Sequence, residues 1–84
     1  GMVQELVAPG QQLTRALELA ETIANQAPLA VQVTLHSARL ARAEGDAAAA
    51  ARLMPDLVPL FASEDVKEGM ASFVERRAAK FVGR

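Results

Sequence analysis

The sequence predicts an all-α fold of four helices, preceded by at most one short strand. Apolar residues form 51% of the 84-residue chain, and they recur every three or four positions in four successive stretches, as in amphipathic helices. Only three side chains are aromatic, all of them Phe, so the core must consist of Leu, Val, Ala and Met, which suits helix-on-helix packing. A chain of this length is expected to form one domain with a thin core.

The N-terminal residues 1–10 are expected to be a strand or turn remnant. Residues 2–7 alternate loosely between apolar and polar side chains, but a lone strand has no neighbour with which to pair. Pro9 and Gly10 together indicate a turn. The first helix is predicted over residues 11–25, where one apolar stripe consists of Leu13, Ala16, Leu17, Ala20, Ile23 and Ala24.

The second helix is predicted over residues 28–43 and is apolar on two sides. Pro28 suits its first turn, where a missing N–H costs little, and Gly45 follows as the stop signal. A helix with two apolar sides is usually covered on both, so in a small chain the second stripe predicts a partner or a missing part of the protein. The first stripe consists of Ala30, Val33, Ser37, Leu40 and Ala41, and the second of Val31, Leu35 and Ala38.

The third helix is predicted over residues 46–61, with Asp46 at its start. Pro55 and Pro59 lie inside it, and an interior proline costs about 3 kcal/mol because it cannot donate a backbone hydrogen bond. We therefore expect a kink or a break in this helix. Its apolar face consists of Ala50, Leu53, Met54, Leu57, Val58 and Phe61.

The fourth helix is predicted over residues 63–80, with Ser63 as its N-cap. Acidic side chains near its start and basic side chains near its end would oppose the helix dipole favourably at both termini. The acidic group is therefore interpreted as a set of dipole partners on the helix surface, and it consists of Glu64, Asp65 and Glu68.

Composition excludes most kinds of catalytic centre. The chain has no cysteine, which removes disulfides, thiolate nucleophiles and cysteine-based zinc sites. His36 is the single histidine and is interpreted as a residue on a helix flank, because it has no second histidine or cysteine with which to share a metal ion. No serine has the sequence signature of a nucleophile, and no glycine-rich phosphate loop is present.

Charge and hydropathy limit the classes of partner that the chain is expected to bind. With 9 basic and 10 acidic side chains the net charge is −1, which argues against a nucleic-acid partner. The apolar runs are too short to span a bilayer, and no secretory signal is expected. Together with the absence of cysteine, these features favour a cytoplasmic protein that does not act at a membrane.

The basic end of the fourth helix is the candidate binding site. One interpretation is a solvated helix C-terminus. The other is an anion site with an aromatic neighbour, which suits a phosphorylated nucleotide because Arg binds phosphate through its fork of donors. The cluster consists of Arg76, Arg77, Lys80 and Arg84, close to Phe73 and Phe81.

Residues 62–84 read ASEDVKEGMASFVERRAAKFVGR. This stretch resembles the S-E-D-x-x-E-G-x-x-A-F-x-E-K-R-x-P-x-F-x-G pattern that ends the crotonase (enoyl-CoA hydratase/isomerase) superfamily. Residues 1–7 (GMVQELV) resemble the family's G-L-V-x-E-V-V strand, and the first helix with residues 26–31 resembles its A-x-x-I-A-x-x-x-P-x-A-V segment. The chain departs from the family at Leu35 (often Lys), Ser72 (usually Ala), Arg76 (commonly Lys) and Ala79 (usually Pro).

The resemblance implies the C-terminal helical segment of a crotonase-like fold. Family members act on a coenzyme A thioester and hold no tightly bound cofactor. Their oxyanion hole and catalytic glutamates lie in a larger N-terminal core, and no glutamate of this chain matches those positions. By motif position, the resemblance assigns contacts with the CoA adenine and phosphate to Phe73 and Arg76.

Two hypotheses about function remain open. In the first, the chain is a segment that covers the CoA site of an acyl-CoA enzyme and is inactive alone. Its partners would be the N-terminal crotonase core or further copies of itself, as a dimer or trimer. In the second, the chain is an independent helical interaction or assembly module without a catalytic role.

Overall fold

The computed structural model describes all 84 residues and contains four helices, which confirms the predicted all-α fold. The first three helices lie within one residue of their predicted bounds. Residues 1–8 form no strand, because the chain provides no second strand to pair with them, whereas Pro9 and Gly10 form the expected turn. The helices are α1 (Gln12–Ala24), α2 (Pro28–Glu44), α3 (Asp46–Phe61) and α4 (Glu64–Glu75).

The packed centre of the molecule is the hairpin of α2 and α3. Gly45 is the single residue between these helices. Its φ of 95° would be strained for a residue with a side chain, and glycine adopts it freely. The turn places α2 and α3 side by side and partly buries Val33, Leu40 and Leu57. The rest of the apolar face predicted for α3 stays exposed, including Leu53, Met54, Val58 and Phe61. Ala49, at 9% exposed, is the only apolar residue that counts as buried.

α3 continues through both of its prolines, so the expected break does not occur. Pro55 and Pro59 are four residues apart and therefore lie on one side of the helix. Both line an open groove between α2 and α3. The missing backbone donors are thus confined to a single side, and the helix persists to Phe61.

α4 ends at Glu75, five residues before its predicted end at residue 80. Arg76 adopts the left-handed conformation, with φ 54° and ψ 43°. Its N–H donates to the Phe73 carbonyl at 3.3 Å, and the Arg77 N–H donates to the Ser72 carbonyl at 3.0 Å. These two bonds form a Schellman motif, which ends the helix. Residues 77–84, here called the C-terminal tail, then run back along α4 without regular secondary structure.

The molecule is open rather than compact. Its radius of gyration is 15.9 Å, whereas a compact domain of this length would have about 12 Å. Only 3 of 84 residues are buried. None of them lies in α1, whose apolar stripe faces outwards at Leu13, Leu17 and Ile23. None of the four helices combines the length and the apolar character that a membrane crossing requires.

Candidate functional site

The candidate site lies at the C-terminal end of α4, where both residues assigned by the resemblance are found. Phe73 lies in the last turn of α4, and Arg76 caps that helix. The Phe73 side chain is 85% exposed, and Arg76 is exposed as well. The helix end therefore presents an uncovered aromatic ring and a guanidinium group three residues apart.

The basic residues around this end divide into paired and unpaired side chains. Arg77 forms ion pairs with Glu68 and Glu75, and Arg84 forms one with Glu64 at 3.0 Å. Neither Arg76 nor Lys80 has a carboxylate within 4.0 Å. Of the four basic residues in the predicted cluster, these two are available to bind an anion.

Glu68 connects α4 to the C-terminal tail. Its carboxylate accepts two hydrogen bonds from the Arg77 guanidinium, at 2.5 and 3.0 Å. It accepts a third from the Lys80 backbone N–H at 2.8 Å. The bonds from Arg77, followed by the bond from Lys80, lower the pKa of Glu68 to about 2. The same contact, with a smaller effect from Glu75, raises the pKa of Arg77.

Asp65 makes the second connection between α4 and the tail, and it is only 3% exposed. Its Oδ1 and Oδ2 atoms accept hydrogen bonds from the backbone N–H groups of Val82 and Gly83, at 2.7 and 2.8 Å. Its own N–H donates to the Arg84 carbonyl at 2.9 Å. The interpretation of Asp65 and Glu68 as surface dipole partners missed this role. The available signal was their spacing of three residues, which places both acids on one face of α4.

Two close apolar contacts also hold the tail in place. A Cβ atom built on Gly69 would lie 3.6 Å from the Phe81 ring, so the ring packs directly on the backbone of α4. A Cβ atom on Gly83 would lie 3.5 Å from Pro28, the first residue of α2. The tail therefore lies against both α4 and the start of α2.

The groove between α2 and α3 is a second concave region, with a volume of about 520 Å³. Its charged groups largely neutralise one another. Arg52 donates to Asp56 at 2.8 Å, and the His36 Nε2 atom lies 4.0 Å from the other Asp56 oxygen. The His36 side chain is 63% exposed, as expected for a helix flank. No group of three potential metal ligands occurs in the molecule.

The second apolar stripe of α2 remains largely uncovered in the chain alone. Together with the end of α1 it lines an open, mainly apolar hollow of about 570 Å³. Leu35, which lines this hollow, is 47% exposed. We call this the N-terminal apolar surface, and it consists of Ile23, Val31, Leu35 and Ala38.

Comparison with known proteins gives matches over the full chain. The family described as enoyl-CoA hydratase/isomerase matches residues 1–84. Enoyl-CoA hydratase EchA19 of Mycobacterium tuberculosis is 39% identical over 84 residues, which are all of this chain and 32% of that protein. A probable enoyl-CoA hydratase of Rhizobium meliloti is 42% identical over 88 residues, again covering all of this chain and 33% of that protein.

A solved structure gives the same result in three dimensions. The crystal structure of a probable enoyl-CoA hydratase/isomerase from Mycobacterium abscessus superposes with a TM-score of 0.91 and 52% sequence identity. The match covers 100% of this chain and 33% of that one. The chain thus spans about one third of the length of the relatives it matches.

Proposed function

The chain belongs to the enoyl-CoA hydratase/isomerase family, and we propose that it forms the helical part of an acyl-CoA site whose chemistry resides elsewhere. The membership confirms the resemblance found in residues 62–84. One observation carries the proposal. The end of α4 that the resemblance assigns to CoA presents Phe73 and Arg76 in exposed positions, and Arg76 has no carboxylate partner.

The chemistry of these two side chains suits the nucleotide end of CoA. An aromatic face such as that of Phe73 can stack on adenine, and stacking tolerates the loose geometry of an exposed site. The Arg76 guanidinium offers a planar fork of donors that matches phosphate oxygens. Lys80 is the second unpaired cation nearby and would add attraction for the same phosphates.

The acids of this end of the molecule are occupied by structural bonds. Hydration of an enoyl thioester requires carboxylates that transfer protons and donors that stabilise the developing oxyanion. The Asp65 carboxylate accepts from Val82 and Gly83, and the Glu68 carboxylate accepts from Arg77 and Lys80. We therefore propose that the catalytic groups come from an N-terminal crotonase core acting as partner. A steady-state assay should then show no hydration of crotonyl-CoA by the purified chain alone.

Calorimetric titration with CoA tests the proposed site. Arg76→Ala should weaken CoA binding about tenfold, because it removes charge-assisted hydrogen bonds to phosphate. Arg39→Ala is the matched control, since Arg39 is also an exposed arginine without a carboxylate partner and lies on α2. Equal CoA affinity in both variants would contradict the assignment of Arg76.

A second candidate function, an assembly module without a catalytic role, is favoured by the N-terminal apolar surface. Burial of one Leu or Val side chain is worth about 1.5–3 kcal/mol, so the surface gains stability when it is covered. In this second function a further copy of the chain would cover it, giving a dimer or trimer. Measured CoA binding distinguishes the two candidates. Binding is expected for part of an acyl-CoA site, and no binding is expected for a module that only assembles.

A further inference from the structure

We propose that Asp65 and Glu68 are positioning residues, which clamp the C-terminal tail against α4 and thereby hold Arg76 in the orientation proposed for CoA binding. The inference rests on that proposed function. Asp65 is only 3% exposed beneath the tail, and the Glu68 side chain is 25% exposed.

The tail depends on these acids for its backbone hydrogen bonds. The N–H groups of Lys80, Val82 and Gly83 all donate to carboxylate oxygens of α4. An irregular segment has no helix or sheet ladder to satisfy its backbone, so its placement is set by such side-chain partners. The two carboxylates lie one helical turn apart and therefore hold the tail at two points along the axis of α4.

The clamp opposes a strong local preference for helix. Residues 76–80 read RRAAK, and Arg, Ala and Lys are among the best helix formers. Local preference alone therefore predicts that α4 continues to residue 80. The structure instead turns the chain at Arg76, in a left-handed conformation that residues other than glycine rarely adopt.

The contacts of the tail with Asp65 and Glu68 and the helix preference of residues 76–80 favour two different conformations of this end of the molecule. In the clamped state, Arg76 caps α4 and Arg77 reaches back to Glu68. In the released state, residues 76–80 join α4, and the backbone of Arg76 changes from left-handed to right-handed. That change redirects the Arg76 side chain relative to Phe73, so only the clamped state presents the proposed pair.

The double variant Asp65→Asn, Glu68→Gln tests the clamp, because it keeps side-chain size and removes both charges. We expect the NMR Cα shifts of residues 76–80 to become helical. Amide exchange at Val82 and Gly83 should accelerate at least tenfold. The exposed acid Glu44, which lies at the end of α2 and makes no ion pair with the tail, supplies the control variant Glu44→Gln.

CoA binding tests the positioning role in the same variants. If one tenth of the double variant remains clamped, its apparent Kd for CoA should rise about tenfold. Adding Ala79→Pro should recover at least part of the affinity, because proline blocks extension of α4 and the Ala79 N–H makes no hydrogen bond. Recovery of CoA affinity by this proline would support a positioning role for Asp65 and Glu68. A general loss of fold stability would not be repaired by proline at residue 79.

Each result decides a different part of the inference. Unchanged shifts and unchanged exchange in the double variant would overturn the clamp. A released tail with unchanged CoA affinity would overturn the positioning role alone. Failure of the unmodified chain to bind CoA would overturn the proposed function and the positioning role with it, while the shifts and exchange rates would still judge the clamp.

Discussion

α1 and α4 have nearly the same length, 13 and 12 residues, but different contacts cap their ends. In α4, Ser63 caps the first turn through its side chain, and a Schellman motif at Arg76 closes the last. In α1, Gln11 makes no side-chain cap bond, and no acidic residue lies in the first turn. The first turn of α4 is thus capped by a side chain and the first turn of α1 is not, although the end of α1 has backbone bonds such as Asn25 N–H to the Glu21 carbonyl.

The contrast extends to the surfaces that each helix leaves exposed. α1 has no buried residue, and its end contributes to the N-terminal apolar surface. α4 buries Asp65 and Ser72, and its exposed end carries an aromatic ring and an unpaired cation. An apolar surface of the first kind suits packing against protein, and a mixed end of the second kind suits a charged small molecule.

The largest expected effect concerns the N-terminal apolar surface. Leu35→Glu should reduce the self-association constant of the chain more than tenfold, because it places a charge where apolar side chains would meet. Sedimentation equilibrium measures this constant. Ala43→Glu, at an exposed position of α2 outside this surface, should leave it unchanged. A clean monomer of the unmodified chain at high concentration would contradict the proposed self-association.

The next effect concerns the N-terminal ends of the two helices. Ser63→Ala should destabilise the fold by about 1 kcal/mol, because the Ser63 Oγ atom accepts the Val66 N–H at 3.2 Å. Gln11→Ala should change the stability very little, since Gln11 provides no such bond. Urea unfolding followed by circular dichroism gives both values. A similar loss of unfolding free energy in the two variants would show that the two helix starts are not capped differently.

A smaller effect, with opposite signs in two measurements, is expected at the C-cap of α4. The left-handed conformation costs a residue with a side chain about 1–2 kcal/mol, and the entropy of glycine offsets about 0.5–1 of it. Arg76→Gly should therefore stabilise the fold by about 0.5–1 kcal/mol in urea unfolding. The same variant should weaken CoA binding. If stability and affinity fall together, Arg76 has a structural role in place of the binding role.

The last effect is the pH response of the tail. The pKa of Glu68 is lowered from 4.5 to about 2, so its stabilising contribution is complete above pH 4.5 and is lost as the pH falls towards 2. The amide shift of Lys80 should follow this titration with a midpoint near 2. Glu68→Gln should abolish the transition. A midpoint near 4.5 would show that the contacts between Glu68 and the tail are absent in solution.

Local patterns were sufficient for three of the helices. The apolar spacing, Pro28 and Gly45 act within a few residues of the ends they define, and those ends lie within one residue of the predicted bounds. Beyond the end of α4 the chain is held by contacts between residues 17 and 18 positions apart, from Asp65 to Val82 and Gly83. Periodicity and charge cannot report such contacts, so the basic residues after Glu75 were interpreted as a helix end.

One sequence signal did point to the earlier end of α4. Ala79 occupies a position where the family usually has proline, and proline there would not allow a helix to reach residue 80. The candidate site was predictable to a similar degree. The sequence showed a basic cluster, but only the structure separated the paired residues Arg77 and Arg84 from the unpaired Arg76 and Lys80.

Mapping of CoA on the chain by NMR decides whether Phe73 and Arg76 bind it. In a titration of the isotopically labelled chain with CoA, we expect amide shift changes concentrated between Phe73 and Lys80, with α1 unaffected. The groove between α2 and α3, which includes His36, serves as the internal reference for non-specific binding. Changes centred on that groove, or no changes at any position, would contradict the assignment of Phe73 and Arg76 to CoA.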